Sequence, residues 1–128
     1  MIVLKVEPEK APERIEISGD LESMQQIVGG SIQAIYPFEE PIALICNEEG
    51  KLNGLPLNRA LRDEDGTIYD VITGTFFLCG APPEEASFTS PTEYQLQDLE
   101  TRFHTPELFF RLNGRLVSIP LVGSEPEQ

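Results

Sequence analysis

Two stretches leave this chain little choice of fold. Ile42-Ala43-Leu44-Ile45-Cys46 and Gly74-Thr75-Phe76-Phe77-Leu78-Cys79-Gly80 are short, bounded by turn formers and apolar almost throughout. Neither run alternates, so neither reserves a side for water. Such a strand is stable where both faces of its sheet are covered. The two runs therefore predict the middle of a sheet with material packed above and below it.

The segments around them fit a single α+β domain. Ile2, Leu4 and Val6 alternate with polar residues, and so does Arg14-Ile15-Glu16-Ile17 beyond Pro8 and Pro12, which predicts an opening β-hairpin. Asp20 is placed as a helix N-cap with Leu21, Met24, Ile27 and Val28 at helical spacing behind it, and Gly29-Gly30 ends that helix. Ile32, Ala34 and Tyr36 face one way on a further strand, Gln33 and Ile35 the other. Pro56 is expected to open one or two helical turns ending near Leu61. Asp63-Glu64-Asp65-Gly66 reads as a surface turn before a short strand, Ile68 to Ile72. Ser90-Pro91-Thr92-Glu93 predicts a second helix, with Ser90 as N-cap, running to about Phe103 with Leu96, Leu99 and Phe103 inward. Phe109 to Ile119, split by Asn113-Gly114, fits either a hairpin or a loose apolar arm. The expectation is one domain over residues 1–122, a mixed or antiparallel sheet packed against two helices, with a flexible polar tail at 123–128.

Charge narrows the function. Nine Lys and Arg face 22 Asp and Glu, a formal charge of −13. A general nucleic-acid binder needs the opposite balance, and so does a protein that docks on anionic membranes. No apolar run reaches the roughly 20 residues of a membrane span. Met1 to Lys5 lacks the basic front and long apolar run of a secretory signal, which predicts a cytoplasmic protein.

The inventory for catalysis is thin. Cys46 and Cys79 lie inside apolar runs with no neighbouring cation to lower their pKa, and read as buried thiols. His104, the only histidine, follows a helix end where a basic residue is favourable. Two Cys and one His fall short of a zinc site, and Asp63–Gly66 lacks the flanking acids of a calcium loop, so no metal is expected. No phosphate-binding glycine loop is present and no cofactor is expected. The chain is read as a non-enzymatic protein.

Two features remain as candidate sites. The first is the segment from Asn53 to Asp70. There Asn53, Asn58 and Arg59 sit among Leu55, Leu57 and Leu61. Buried polar groups must be hydrogen-bonded. Either Asn58 caps a turn and Arg59 pairs with Asp63 or Asp70, or these residues form a polar pocket in which Arg59 offers its fork to a carboxylate, phosphate or partner. Thr75 is expected beside the same spot. In the second case the protein would be a small-ligand binder, for example one that sequesters a nucleotide. The second feature is the recurrence of acids at Glu39-Glu40, Glu48-Glu49, Asp63-Glu64-Asp65 and Glu84-Glu85. That pattern reads as a solubilising surface or as a negative face imitating the phosphates of DNA in a partner's groove.

One stretch is distinctive as a whole. The run Pro37 to Leu61 contains Asn53-Gly54-Leu55-Pro56 and Asn58-Arg59-Ala60, followed by Gly74-Thr75-Phe76-Phe77. With Leu4-Lys5-Val6-Glu7-Pro8 and Val28-Gly29-Gly30, it resembles the family called Domain of Unknown Function 3846, over about residues 1 to 110. The resemblance implies a small bacterial or viral protein of the kind frequent in phages and mobile elements, often among accessory genes that include antirestriction proteins. It brings no established activity and no catalytic residues. The resulting expectation is an accessory protein that binds a host or element-encoded protein through its acidic surface, as a modulator of host defence. The sequence leaves the oligomeric state open.

Overall fold

A computed structural model describes residues 1–121; the last position of the expected domain and the expected tail at 123–128 lie outside the described residues. The elements run β1 (Ile2–Val6), β2 (Glu13–Glu16), α1 (Leu21–Val28), β3 (Ile32–Ile35), β4 (Ile42–Asn47), β5 (Leu57–Arg62), β6 (Ile68–Thr73), β7 (Phe76–Gly80), α2 (Glu93–Arg102), β8 (Glu107–Leu112) and β9 (Arg115–Pro120). The class is α+β, dominated by antiparallel sheet. Five strands form the main sheet in the order β2-β1-β7-β4-β3, and β5–β6 and β8–β9 form separate two-stranded sheets.

The two apolar runs occupy the positions their composition demands. In β7, Phe77 aligns with Lys5 of β1 and with Ile45 of β4, and every residue of β4 and β7 is buried. Successive side chains alternate between two cores. On one face Leu4, Val6, Leu44, Phe76 and Leu78 meet Leu96, Leu99 and Phe103 of the α2 segment together with Leu61 and Ile72 of β5 and β6. On the other face Val3, Ala43, Ile45, Phe77 and Cys79 meet Met24 and Val28 of α1. No helix among the described residues is long and apolar enough to cross a membrane.

Helix α1 begins and ends on local chemistry. The Asp20 carboxylate accepts from the Ser23 amide at 2.9 Å, and Gly29 takes the left-handed conformation at φ 81° that closes the last turn. At the far end of the chain, Asn113 (φ 53°) and Gly114 (φ 79°) make the tight turn of the β8–β9 hairpin, so the hairpin forms and the loose arm does not.

Two local expectations give way to long-range bonds. The N-cap of α2 is Thr92 rather than Ser90: the Thr92 hydroxyl accepts from the Gln95 amide, and the Gln95 side chain accepts from the Thr92 amide. Ser90 is engaged elsewhere, its Oγ accepting from the amide of Ile2 at 2.8 Å. The turn of helix expected from Pro56 to Leu61 is also absent. Those residues enter strand β5, because Ala60 and Leu61 pair with Val71 and Asp70 of β6 and bury their side chains.

Arg14 ties the outer strand β2 to α2. Its guanidinium donates to both carboxylate oxygens of Glu93 and both of Glu100, at 2.8–3.0 Å. These bonds from Arg14 hold both glutamates below the ordinary value of 4.5. A carboxylate whose pKa is depressed by folding adds stability that is complete above its unfolded value and is lost as pH falls through the folded one. The clamp should therefore hold at neutral pH and release in acid, below the usual glutamate range. In a carbon-detected NMR titration, Glu93 and Glu100 should titrate low and both should rise in Arg14→Ala, Glu93 less completely because the Gln97 side chain still donates to it. Unchanged titration in that variant would refute the clamp.

Candidate functional site

Asn58 and Arg59 are both inside the molecule because β5 is irregular. Its register against β6 shifts between Leu57 and Arg59, which breaks the alternation of a regular strand and turns two consecutive polar side chains inward. The Asn58 amide group donates to the carbonyls of Val6 at 2.9 Å and Gly74 at 2.8 Å. Its Oδ1 accepts from Nη1 of Arg59 at 2.9 Å. The rest of the Arg59 fork donates to the carbonyl of Phe103, from Nε at 3.2 Å and Nη2 at 2.9 Å, and to the carbonyl of Lys10 at 2.7 Å.

This arrangement changes the expected chemistry of Arg59. It pairs with neither Asp63 nor Asp70. A carbonyl at the C-terminus of α2 takes the place of a carboxylate, and that end of the helix carries partial negative charge. Burial lowers the Arg59 pKa, while the charge of Glu107 opposes that effect. With Asn58 at 0% and Arg59 at 1% exposure, the space expected for a ligand is filled by the two side chains themselves. Their polar atoms bond the fold to itself.

The other expected residues are dispersed. Asn53 is exposed in the turns before β5, its amide donating to the Glu49 carbonyl at 2.9 Å. Asp70 lies on β6 and pairs with Lys51 at 2.6 Å. Thr75 lies beside Lys5, Glu16, Ser23 and Gln26, in a groove on the α1 side of the main sheet. The chain passes from one side of the main sheet to the other near Gly74, so Thr75 and Asp70 cannot serve one ligand.

Asp70 instead borders a cavity of about 140 Å³ between β3, β6 and the turn after β4, with Gln33, Cys46 and Lys51 among its walls. The turn is built by Asn47, which donates to the Val28 carbonyl at the end of α1 and accepts from the Glu49 amide. Gly50 is required there, because a side chain at this position would run into the Thr73 hydroxyl. Sequence reasoning missed Lys51 and Gln33. The available signal for Lys51 was a lone cation directly after two glutamates and a glycine. The cavity is well below the roughly 300–1,000 Å³ of pockets that enclose a drug-sized ligand.

The thiols carry no sign of activation. Burial raises Cys46, Asp70 raises it further and Lys51 acts against both. Burial alone pushes Cys79 up to about 12. Both shifts keep the thiol protonated at neutral pH. His104 borders an open groove with Gln97, Glu100 and Thr101. Among the described residues no group of three His, Cys, Asp or Glu is placed to hold a metal ion.

The outer surface is where charge accumulates. Six cations are already in ion pairs: Lys5, Lys10, Arg14, Lys51, Arg62 and Arg102. Glu40, one of the acids of the expected face, is held by Arg102. Glu39, Glu48, Glu49, Asp63, Glu64, Asp65, Glu84 and Glu85 are exposed, with no cation partner among the described residues.

A family model, Domain of unknown function (DUF3846), matches residues 1–104, from β1 to just past α2. The chain belongs to this family. The DUF3846 region contains the whole main sheet, both helices, the β5–β6 pair and the Asn58–Arg59 cluster, whereas the β8–β9 hairpin lies beyond it. No curated protein and no solved structure matches the chain.

Proposed function

We propose that this DUF3846 protein is a non-enzymatic accessory protein of phage or mobile-element type. It binds a host or element-encoded protein through its acidic surface and thereby modulates host defence. The observation that carries this reading is the charge distribution. The molecule ties six of its nine cations into ion pairs and leaves a large surplus of outward carboxylates. Such a surface attracts a basic face over a distance and steers its approach. A groove that normally holds DNA offers a face of this kind, since it must neutralise closely spaced phosphates. The filled interior at Arg59 and the small cavity at Asp70 give the small-ligand alternative no comparable support.

The immobilised chain should retain a nucleic-acid-binding protein from host lysate. Retention should fall steeply between roughly 0.1 M and 1 M salt, over which the Debye length shrinks from about 10 Å to about 3 Å. Duplex DNA should compete, and Glu48→Lys with Glu49→Lys should weaken retention without altering the fold, since both positions are exposed. Retention that is indifferent to salt and to the charge reversal would refute the proposal.

A further inference from the structure

The main sheet ends in two unlike edges. Strand β2 carries Glu13, Arg14 and Glu16, and Arg14 is fastened to α2. Charges of this kind block pairing with another strand. The other edge, β3, reads Ile32-Gln33-Ala34-Ile35 and holds no charge and no proline, and its register against β4 is unbroken. Among the described residues β4 is its one neighbour in the sheet. The Ser31 carbonyl accepts from the Glu48 amide at 2.8 Å. Alternation along an antiparallel pair then turns the backbone groups of Gln33 and Ile35 towards β4 and those of Ile32 and Ala34 outward. The amides and carbonyls of Ile32 and Ala34 have no backbone partner among the described residues.

An extended backbone supplies donors and acceptors at the spacing those groups require. Charge indicates which chain it belongs to. Ile32 pairs with Asn47, so Glu48-Glu49 lie just past the start of β3, and Glu39-Glu40 lie in the connection just beyond its end. All four acids are exposed; Glu40 is shared with Arg102, and Lys51, beyond the first pair, is held by Asp70. A second copy does not suit this edge. Two identical edge strands related by a two-fold axis run antiparallel, which lays Glu48-Glu49 of one copy beside Glu39-Glu40 of the other, like charge against like. A foreign strand with cations at both ends meets opposite charge at each end in either direction. Its apolar side chains continue the packing of Ile32 and Ala34 on the α1 side and of Ile35 on the α2 side, where all three are partly buried against the two cores. Four residues of strand span about 13 Å, which sets the separation of the flanking cations. We infer that the β3 edge pairs with an extended segment of the partner flanked by Lys or Arg, adding a strand to the main sheet. This deepens the binding role proposed above by naming the partner's recognition element, and it rests on that reading.

NMR of the isotope-labelled full chain, titrated with a short capped peptide of alternating threonine and valine between paired lysines, tests it. Hydrogen exchange at the Ile32 and Ala34 amides should slow about tenfold or more at saturation, while Gln33 and Ile35, already bonded to β4, should change little. Ala34→Pro removes an outward N–H without touching the β4 ladder, and should weaken binding about tenfold or more. If that variant fails to fold, a peptide N-methylated throughout its core should lose as much on the wild-type chain. Glutamates in place of the lysines should abolish binding. Unchanged exchange at Ile32 and Ala34 overturns the inference, and so does equal affinity for the N-methylated or the glutamate peptide. Protection of those amides that grows with the concentration of the chain alone overturns it too, because β3 is then a dimer edge. In the lysate experiment, salt-sensitive retention that Ala34→Pro leaves intact would overturn this inference while the acidic-surface reading stands.

Discussion

Arg59→Met is expected to remove about 3–5 kcal/mol of folding stability, much of the roughly 5–15 kcal/mol a domain has. Methionine fills part of the volume but donates nothing. The buried carbonyl of Phe103 and Oδ1 of Asn58 would each lose their donor, and so would the part-buried carbonyl of Lys10. A buried acceptor left unpaired costs about 1–3 kcal/mol. Arg59→Lys keeps the charge, but one ammonium cannot reproduce a planar fork spread over three acceptors, so its loss should be intermediate. Urea denaturation measures both. The result also bears on function: a loss below about 1 kcal/mol would mean that Arg59 is dispensable to the fold, and would return it to the list of groups free to meet a ligand.

Phe103→Ala should be nearly as damaging, for a different reason. Its ring is 5% exposed and stands edge-on to Phe76, with centroids 5.6 Å apart, and to Phe38 at 6.1 Å. Truncating a buried phenylalanine costs about 3–5 kcal/mol in transfer and cavity terms. At roughly 4 °C per kcal/mol for a domain of this size, the Tm should fall by about 12–20 °C. Phe103→Leu, which keeps much of the volume, should lose roughly 1–2 kcal/mol. The Phe103 carbonyl remains as the acceptor of Arg59 in either variant, so the two sites are coupled and the double variant should lose less than the sum of the single losses. A Tm shift under about 3 °C for Phe103→Ala would show that this corner of the core is not closely packed.

The candidate site was half legible for a definable reason. Asn58 and Arg59 stood out because polar groups among leucines need partners, and they have them. Which partners could not be read, since the acceptors belong to Val6, Lys10, Gly74 and Phe103, as many as 52 positions away. Asp70 likewise looked like a mate for Arg59, while the fold gives it Lys51. Thr75 is only five residues from Asp70, yet the reversal at Gly74 places it on the other side of the main sheet.

Residues close together in the chain settled the central strands, the caps of α1 and the Asn113-Gly114 turn, because apolar runs, capping side chains and left-handed turn residues act over a few positions. Tertiary structure decided the rest. Ser90-Pro91-Thr92-Glu93 reads locally as a helix start at Ser90, but the Ile2 amide, 88 positions away, engages Ser90 and the cap falls to Thr92. Pro56 to Leu61 could have opened a helix, and became part of a strand because β6 offered pairing and both apolar and polar side chains found cover inside. Local propensities differ by tenths of a kcal/mol per residue, whereas a buried side chain or a satisfied interior hydrogen bond is worth about a kcal/mol or more, so the long-range partner prevails wherever the two compete.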